Sequence, residues 1–277
     1  MKVLPFVIPK AASQVLTLQE DKQQRFYDHL HQHPEIQLSY ILDGEGTLFS
    51  GQSVWRFSKN ELIAIGGNIP HVFKSDPNTT KAHRITIFID THWLSNNVSQ
   101  IEEFKALDTF LTLCKEGFVL EDSSEQFISQ VKDAFVQTGI SRLKTCLSLF
   151  ELLGQTQVIP FNNSSNIAPY KSKDSKRMSA VIDFTLAHYK QPITLNDAAQ
   201  KAALTLTAFC KYFKRLTGKT YTQFLNEVRV ESAARLLLTQ HDKSVSQIAE
   251  EVGYANISHF NRQFKKIKKA TPRAFRI

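Results

Sequence analysis

The chain has 277 residues, 42% hydrophobic and 22% charged, proportions that fit a globular protein able to bury a sizeable core. Its three cysteines, Cys114, Cys146 and Cys210, are isolated and odd in number, which argues against a disulfide framework or a zinc knuckle. The apolar start from Val3 to Ile8 is interrupted by Pro5 and is too brief for a signal-peptide core or a membrane span. A cytoplasmic protein with no membrane partner is therefore expected.

The first ninety residues read as strands. Ile36 to Leu42 and Thr47 to Phe49 flank Asp43-Gly44-Glu45-Gly46, a hairpin turn signal, and Val54 to Phe57, Glu61 to Ile65 and Arg84 to Ile89 are further short runs. Regularly spaced short strands predict a small antiparallel barrel or sandwich. Histidines gather at its start: His29, His31 and His33 precede Glu35 and Gln37, and His71 stands on a later strand. Imidazole with carboxylate suits iron, manganese or zinc, whereas the plain alternative is hydrogen bonding at strand ends. A third reading makes His31, His33, Gln37 and His71, with Trp55 as an aromatic wall, the lining of a pocket for a small effector.

From Asn97 to Leu153 the period changes. Ile101, Phe104, Leu107, Phe110, Leu111 and Cys114 recur at helical spacing, as do Phe127, Val131, Ala134 and Phe135, and then Leu143, Leu147, Phe150 and Leu153. Core packing and a homodimer face are both open readings of these stripes. A stretch rich in Asn, Ser and Lys follows, from Phe161 to Arg177, with linker composition. The predicted division is 1–160 as a sensor and dimerisation domain, 161–177 as linker and 178–277 as a separate all-α domain. Charge changes sign near the same place. Residues 1–165 carry 14 basic against 18 acidic side chains, and residues 166–277 carry 20 against 8, so the second part holds +12 against −4 in the first. That asymmetry points to a polyanion as its partner.

The basic part contains a duplication. Thr194-Leu195-Asn196-Asp197-Ala198-Ala199 matches Ser244-Val245-Ser246-Gln247-Ile248-Ala249 fifty positions on, and Phe209 through Arg215 matches Phe260 through Lys266 fifty-one positions on. One residue is thus inserted in the turn between two short helices. Thr194 and Ser244 are N-cap residues with Asp197 and Gln247 in capping-box positions, and Thr205 and Asn256 cap the second helix of each copy. Phe209 and Phe213, like Phe260 and Phe264, are four apart and face inward. Two short helices joined by a tight turn, the second polar-faced and followed by basic residues, describe a helix-turn-helix. Tyr221 to Leu238 reads as one long helix between the copies.

Gly218-Lys219-Thr220, Phe224-Leu225-Asn226-Glu227-Val228-Arg229, Ala234-Arg235-Leu236-Leu237 and Ile248-Ala249 resemble the AraC/XylS family of bacterial transcription regulators. Gly253-Tyr254, Ser258-His259-Phe260 through Phe264-Lys265-Lys266 and Thr271-Pro272-Arg273-Ala274-Phe275-Arg276 complete the likeness. The resemblance implies two helix-turn-helix subdomains bridged by a long helix and bound to double-stranded promoter DNA, with RNA polymerase a further partner. It places base-edge contacts at Thr207, Cys210 and Lys211 in the first reader, and at Ile257, Ser258, Asn261 and Arg262 in the second. Arg262 and Lys211 suit guanine, Asn261 adenine and Ile257 a thymine methyl. Lys214, Arg215, Lys265, Lys266, Lys268 and Lys269 suit phosphates. The amino-terminal strands are similar to the cupin barrel, with His31, His33 and His71 at three metal-ligand positions. Gln37 stands where that pattern has glutamate, so no metal or other cofactor is expected.

Three functions compete: an effector-responsive DNA-binding regulator, a ligand-independent one, and a metal-dependent cupin enzyme. The first accounts for duplication, charge split and linker together, and it predicts a non-enzymatic protein. The expected fold is a cupin-like antiparallel β-barrel with trailing helices, followed by the all-α double helix-turn-helix.

Overall fold

The structure, a computed structural model, describes residues 8, 14–92, 101–121, 125–161 and 172–276. The apolar start Val3–Val7, the stretch from Asn97 to Gln100 and residues 162–171 of the linker segment lie outside the described residues. The chain divides into two compact units, one built mainly on residues 4–169 and the other on residues 170–277.

Among the described residues the amino-terminal part of the chain forms nine strands. They are β1 (Leu16–Gln23), β2 (Ile36–Asp43), β3 (Gly46–Ser50), β4 (Ser53–Phe57), β5 (Leu62–Ile65), β6 (His71–Ser75), β7 (Ala82–Ile89), β8 (Phe118–Leu120) and β9 (Ile159–Pro160). They form two open sheets, a six-stranded one in the order β1-β7-β2-β5-β8-β9 and a three-stranded one in the order β4-β3-β6. The expected closed barrel is therefore overturned. Its failure begins at Asp43-Gly44-Glu45-Gly46, which does not close a hairpin. β2 already has a neighbour on each side in β5 and β7, and β3 pairs with β6, so this turn carries the chain from one sheet to the other. The register of β2 on β7 shifts between Ile41 and Asp43, a bulge that redirects the strand just before the turn. The outer strands are poor templates for closure. β1 carries Glu20, Asp21 and Lys22, and β9 is two residues long and ends in Pro160, which has no N–H to donate.

The larger sheet has two unlike faces. Ile36, Leu38 and Tyr40 of β2, Leu62 and Ala64 of β5, and Ile85, Ile87 and Ile89 of β7 share one core with three helices. Those helices are α1 (Asp108–Glu116), α2 (Glu125–Val136) and α3 (Gly139–Gln155), entered from a 3-10 turn at Glu102–Leu107. Phe110 and Phe150 stack there with ring centroids 4.6 Å apart. Burial of such side chains stabilises by roughly 1.5–3 kcal/mol each. The stripe from Leu107 to Leu153 is thus mainly core, although Val136 and Ile140 remain 75% and 71% exposed. The opposite face turns Gln37, Ser39, Arg84, Thr86 and Phe88 toward the smaller sheet, because side chains alternate along β2 and β7.

The carboxy-terminal unit is all helical: α4 (Ser172–His188), α5 (Leu195–Lys201), α6 (Leu206–Thr217), α7 (Tyr221–Thr239), α8 (Val245–Glu251), α9 (Ile257–Lys268) and α10 (Pro272–Phe275). α4 begins five residues before the end of the segment read as linker. α7 buries residues all round its axis, which marks a helix packed on several sides. Its start, Tyr221 and Phe224, meets Phe213 of α6 at ring distances of 5.5 and 5.3 Å. Its end, Val230, Ala233, Ala234 and Leu237, packs with Ile248, Ala249, Phe260 and Phe264 of α8 and α9. One helix therefore closes the first copy and opens the second.

Candidate functional site

Each copy is set by the same local chemistry. Thr194 accepts from the N–H of Asp197 and Ser244 from the N–H of Gln247, and both capping boxes are complete. After α5 the Leu204 N–H donates to the Ala199 carbonyl at 3.0 Å, and after α8 the Tyr254 N–H donates to the Ala249 carbonyl at 2.9 Å. These bonds are fifty residues apart. The next caps, Thr205 on the Ala208 N–H and Asn256 on the His259 N–H, are fifty-one apart. Ala255 is thus the extra residue of the second turn.

The equivalence continues beyond the readers. Thr220 caps α7 through the Gln223 N–H, and Thr271 caps α10 through the Ala274 N–H. Phe213 meets Phe224 at 5.3 Å and Phe264 meets Phe275 at 5.4 Å. The start of α7 and the whole of α10 are therefore the same element in the two copies.

Burying the phenylalanines turns the other faces of α6 and α9 outward. Thr207, Cys210, Lys211, Lys214 and Arg215 on α6 are exposed, and so are Ile257, Ser258, Asn261, Arg262, Lys265 and Lys266 on α9. Arg215 also pairs with Asp174 at 3.6 Å and lies 5.9 Å from the Tyr212 ring. Lys268 departs from its expected part as a phosphate contact. Its Nζ donates to Glu231 at 2.7 Å and its side chain is largely buried, so it ties α9 to α7.

Arg229 enters the sequence reading only through the family likeness, and its structural part was not legible there because its partners lie about forty residues away. It donates to the Tyr189 carbonyl at 2.8 Å and the Gln191 carbonyl at 2.9 Å, and its guanidinium lies 5.5 Å from the Tyr254 ring. A β-carbon at Gly253 would stand 2.5 Å from that same Tyr189 carbonyl. Arg229 thus joins the end of α4 to the turn of the second copy.

Between the sheets of the other unit, His31, His33 and His71 present ring nitrogens within 4.8 Å of one another. His33 Nε2 and His71 Nε2 each lie 3.1 Å from Gln37 Oε1. The Gln37 amide donates to Ser39 Oγ at 3.0 Å, and Ser39 meets Thr86 Oγ1 at 3.0 Å. Burial pushes the His31 imidazole down to about 4 and holds His33 and His71 below their ordinary value too. Neutral imidazoles are metal ligands, the buried Glu35 carboxylate lies 3.6 Å from His33 Nδ1, and the Gln37 amide bridges two of the ring nitrogens. A metal bound through His33 Nε2 and His71 Nε2 would have to displace the Gln37 amide. Trp55 is not brought to them: it lies on β4, and β3 separates that strand from the strand of His71.

The comparisons agree with both units. Residues 13–147 match the AraC-like ligand binding domain and residues 198–277 match a helix-turn-helix domain. The helix-turn-helix-type transcriptional regulator YdeC of Bacillus subtilis is 23% identical over 257 residues, covering 90% of this chain and 86% of that protein. The transcriptional activator NphR of a Rhodococcus species is 34% identical over 107 residues, covering 39% of this chain and 31% of NphR. The solved DNA-binding domain of the global transcriptional factor AdpA, in complex with a target DNA, is 28% identical. It covers 37% of this chain and 91% of that one, with a TM-score of 0.35. No helix among the described residues is long and apolar enough to cross a membrane. The chain belongs to the AraC/XylS family and is a sequence-specific DNA-binding transcription regulator.

Proposed function

We propose that this regulator reads two successive major-groove segments of one duplex through α6 and α9, and that a small molecule in the amino-terminal unit modulates the reading. One observation carries the first part. Two helices of the same build bury their phenylalanines and leave ten of the named polar, basic or small side chains exposed, together with Ile257. The 19 residues of α7 span roughly 28 Å at the helical rise, comparable with the ~34 Å of one DNA turn. Arg262 and Asn261 on α9 offer bidentate partners for guanine and adenine, while α6 offers Lys211 beside the weakly bonding Cys210. The second copy therefore reads more bases, and the first does more of the positioning on phosphates. The likeness of residues 13–147 to a ligand binding domain supports the second part.

The test is selection of binding sites from random duplexes by the intact chain, followed by titration of the best site. Arg262→Ala is expected to weaken that site by about 1–3 kcal/mol and to relax preference at one base pair. Equal weakening on every duplex would make Arg262 a phosphate contact and remove the assignment.

A further inference from the structure

The polar layer between the sheets adjoins a cavity of about 110 Å³, which Asp21, Gln23, Arg25, Phe26, Tyr27 and Arg84 line. It is distinct from the histidine–glutamine cluster, whose polar groups are turned on one another. Arg84 is the notable member. Its side chain is only 7% exposed, and its Nε donates to Asp21 Oδ2 at 2.8 Å. Asp21 Oδ1 accepts from Gln19 Nε2 at 2.6 Å, so both oxygens of that carboxylate are engaged and the guanidinium is held in one orientation. The rings of Phe73 and Phe26 lie 4.9 and 5.7 Å from the guanidinium carbon. The two terminal amino groups of Arg84 make no hydrogen bond among the described residues.

The terminal amino groups are not among the buried unpaired atoms, so this largely buried guanidinium opens its outer edge to the cavity, where an occupant could meet it. That edge presents two parallel N–H donors, the geometry that a carboxylate accepts with both oxygens. Arg25 and Arg84 against Asp21 leave one net positive charge along the lining, which matches a monoanion better than a dianionic phosphate. A neutral sugar would leave that charge without a counterion. The volume is well below the ~300–1,000 Å³ of drug-sized pockets, which restricts the occupant to a few carbons.

We propose that this cavity binds a small monocarboxylate, its two oxygens paired with the terminal amino groups of Arg84. The inference rests on the reading of the amino-terminal unit as a sensor and names the chemical class that it senses.

The experiment is titration calorimetry of the intact chain with pyruvate, lactate and acetate, and with inorganic phosphate and glucose as comparison probes. At least one monocarboxylate is expected to saturate the chain, with phosphate and glucose roughly tenfold weaker or more. Arg84→Lys keeps the charge but removes the two-pronged edge, and is expected to weaken binding by roughly tenfold or more. Arg25→Gln, at the exposed rim, leaves the Arg84–Asp21 pair intact and is expected to weaken binding by a smaller factor. It keeps the test informative if Arg84→Lys fails to fold. Three results would overturn the proposal: no saturable binding of any of the three acids, tighter binding of phosphate, or unchanged affinity in both variants. DNA affinity with and without the bound acid is measured separately. Carboxylate binding that leaves DNA affinity unaltered would keep the site and overturn the sensor reading.

Discussion

The two helix-turn-helix copies share a skeleton and exchange their strained positions. In the first, the turn after α5 places Ala203 at φ 50°, and the end of α6 is capped by Gly218 at φ 69°. In the second, the turn has Gly253 at φ 92°, and the end of α9 is capped by Lys269 at φ 58°. Each copy thus holds one side chain in the left-handed region, at opposite ends of its reader. A non-glycine residue there costs roughly 1–2 kcal/mol. The fold tolerates either arrangement, so the turn residue does not define it. What both copies keep is the capping set and the pair of buried phenylalanines four residues apart.

The largest test of that division is the core. Phe213→Ala and Phe264→Ala are each expected to cost about 3–5 kcal/mol in chemical denaturation, since both rings are fully buried. A loss below about 1 kcal/mol in either copy would show that its phenylalanine pair is dispensable. Gly253→Ala should cost about 1–3 kcal/mol, because the new β-carbon meets the Tyr189 carbonyl and the Arg229 guanidinium as well as an unfavourable φ. Removing the caps, by Thr194→Ala or Ser244→Ala, should cost about 1 kcal/mol each and by similar amounts in the two copies. A difference above about 1 kcal/mol between them would mean that the caps are not equivalent. The smallest effect is Ala203→Gly. Relief of the left-handed side chain opposes the entropy of glycine, so a change between zero and about 1 kcal/mol of stabilisation is expected. Measurable destabilisation would mean that the Ala203 methyl packs against something that matters.

Much of the carboxy-terminal unit was legible because its signals are local. Thr194 with Asp197, Ser244 with Gln247, and the Phe209–Phe213 and Phe260–Phe264 pairs lie within a few residues of one another, and a repeat shows them twice. The partner of Lys268 was not legible, since Glu231 is 37 residues away. The amino-terminal unit was read less well for the same reason. Whether β2 turns back onto β3 or hands the chain to another sheet depends on β5 and β7, which arrive later. β1 mixes half-buried apolar residues with charges along an edge, and β8 and β9 are three and two residues long, too short to carry a period. A signal for the buried arginine was nevertheless present. Arg84 is in phase with Thr86 and Phe88 and out of phase with Ile85, Ile87 and Ile89, so a charge stands on a face that the strand otherwise encloses.

The proposed unequal reading of DNA by two copies of one skeleton is tested most directly by a base-substitution scan. Every position of a selected site is changed in turn and titrated with the intact chain, and Arg262→Ala marks which segment lies under α9. Losses of about 1–3 kcal/mol per base pair are expected under α9, with smaller losses under α6. A scan in which the α6 segment is the less tolerant of substitution would contradict the account.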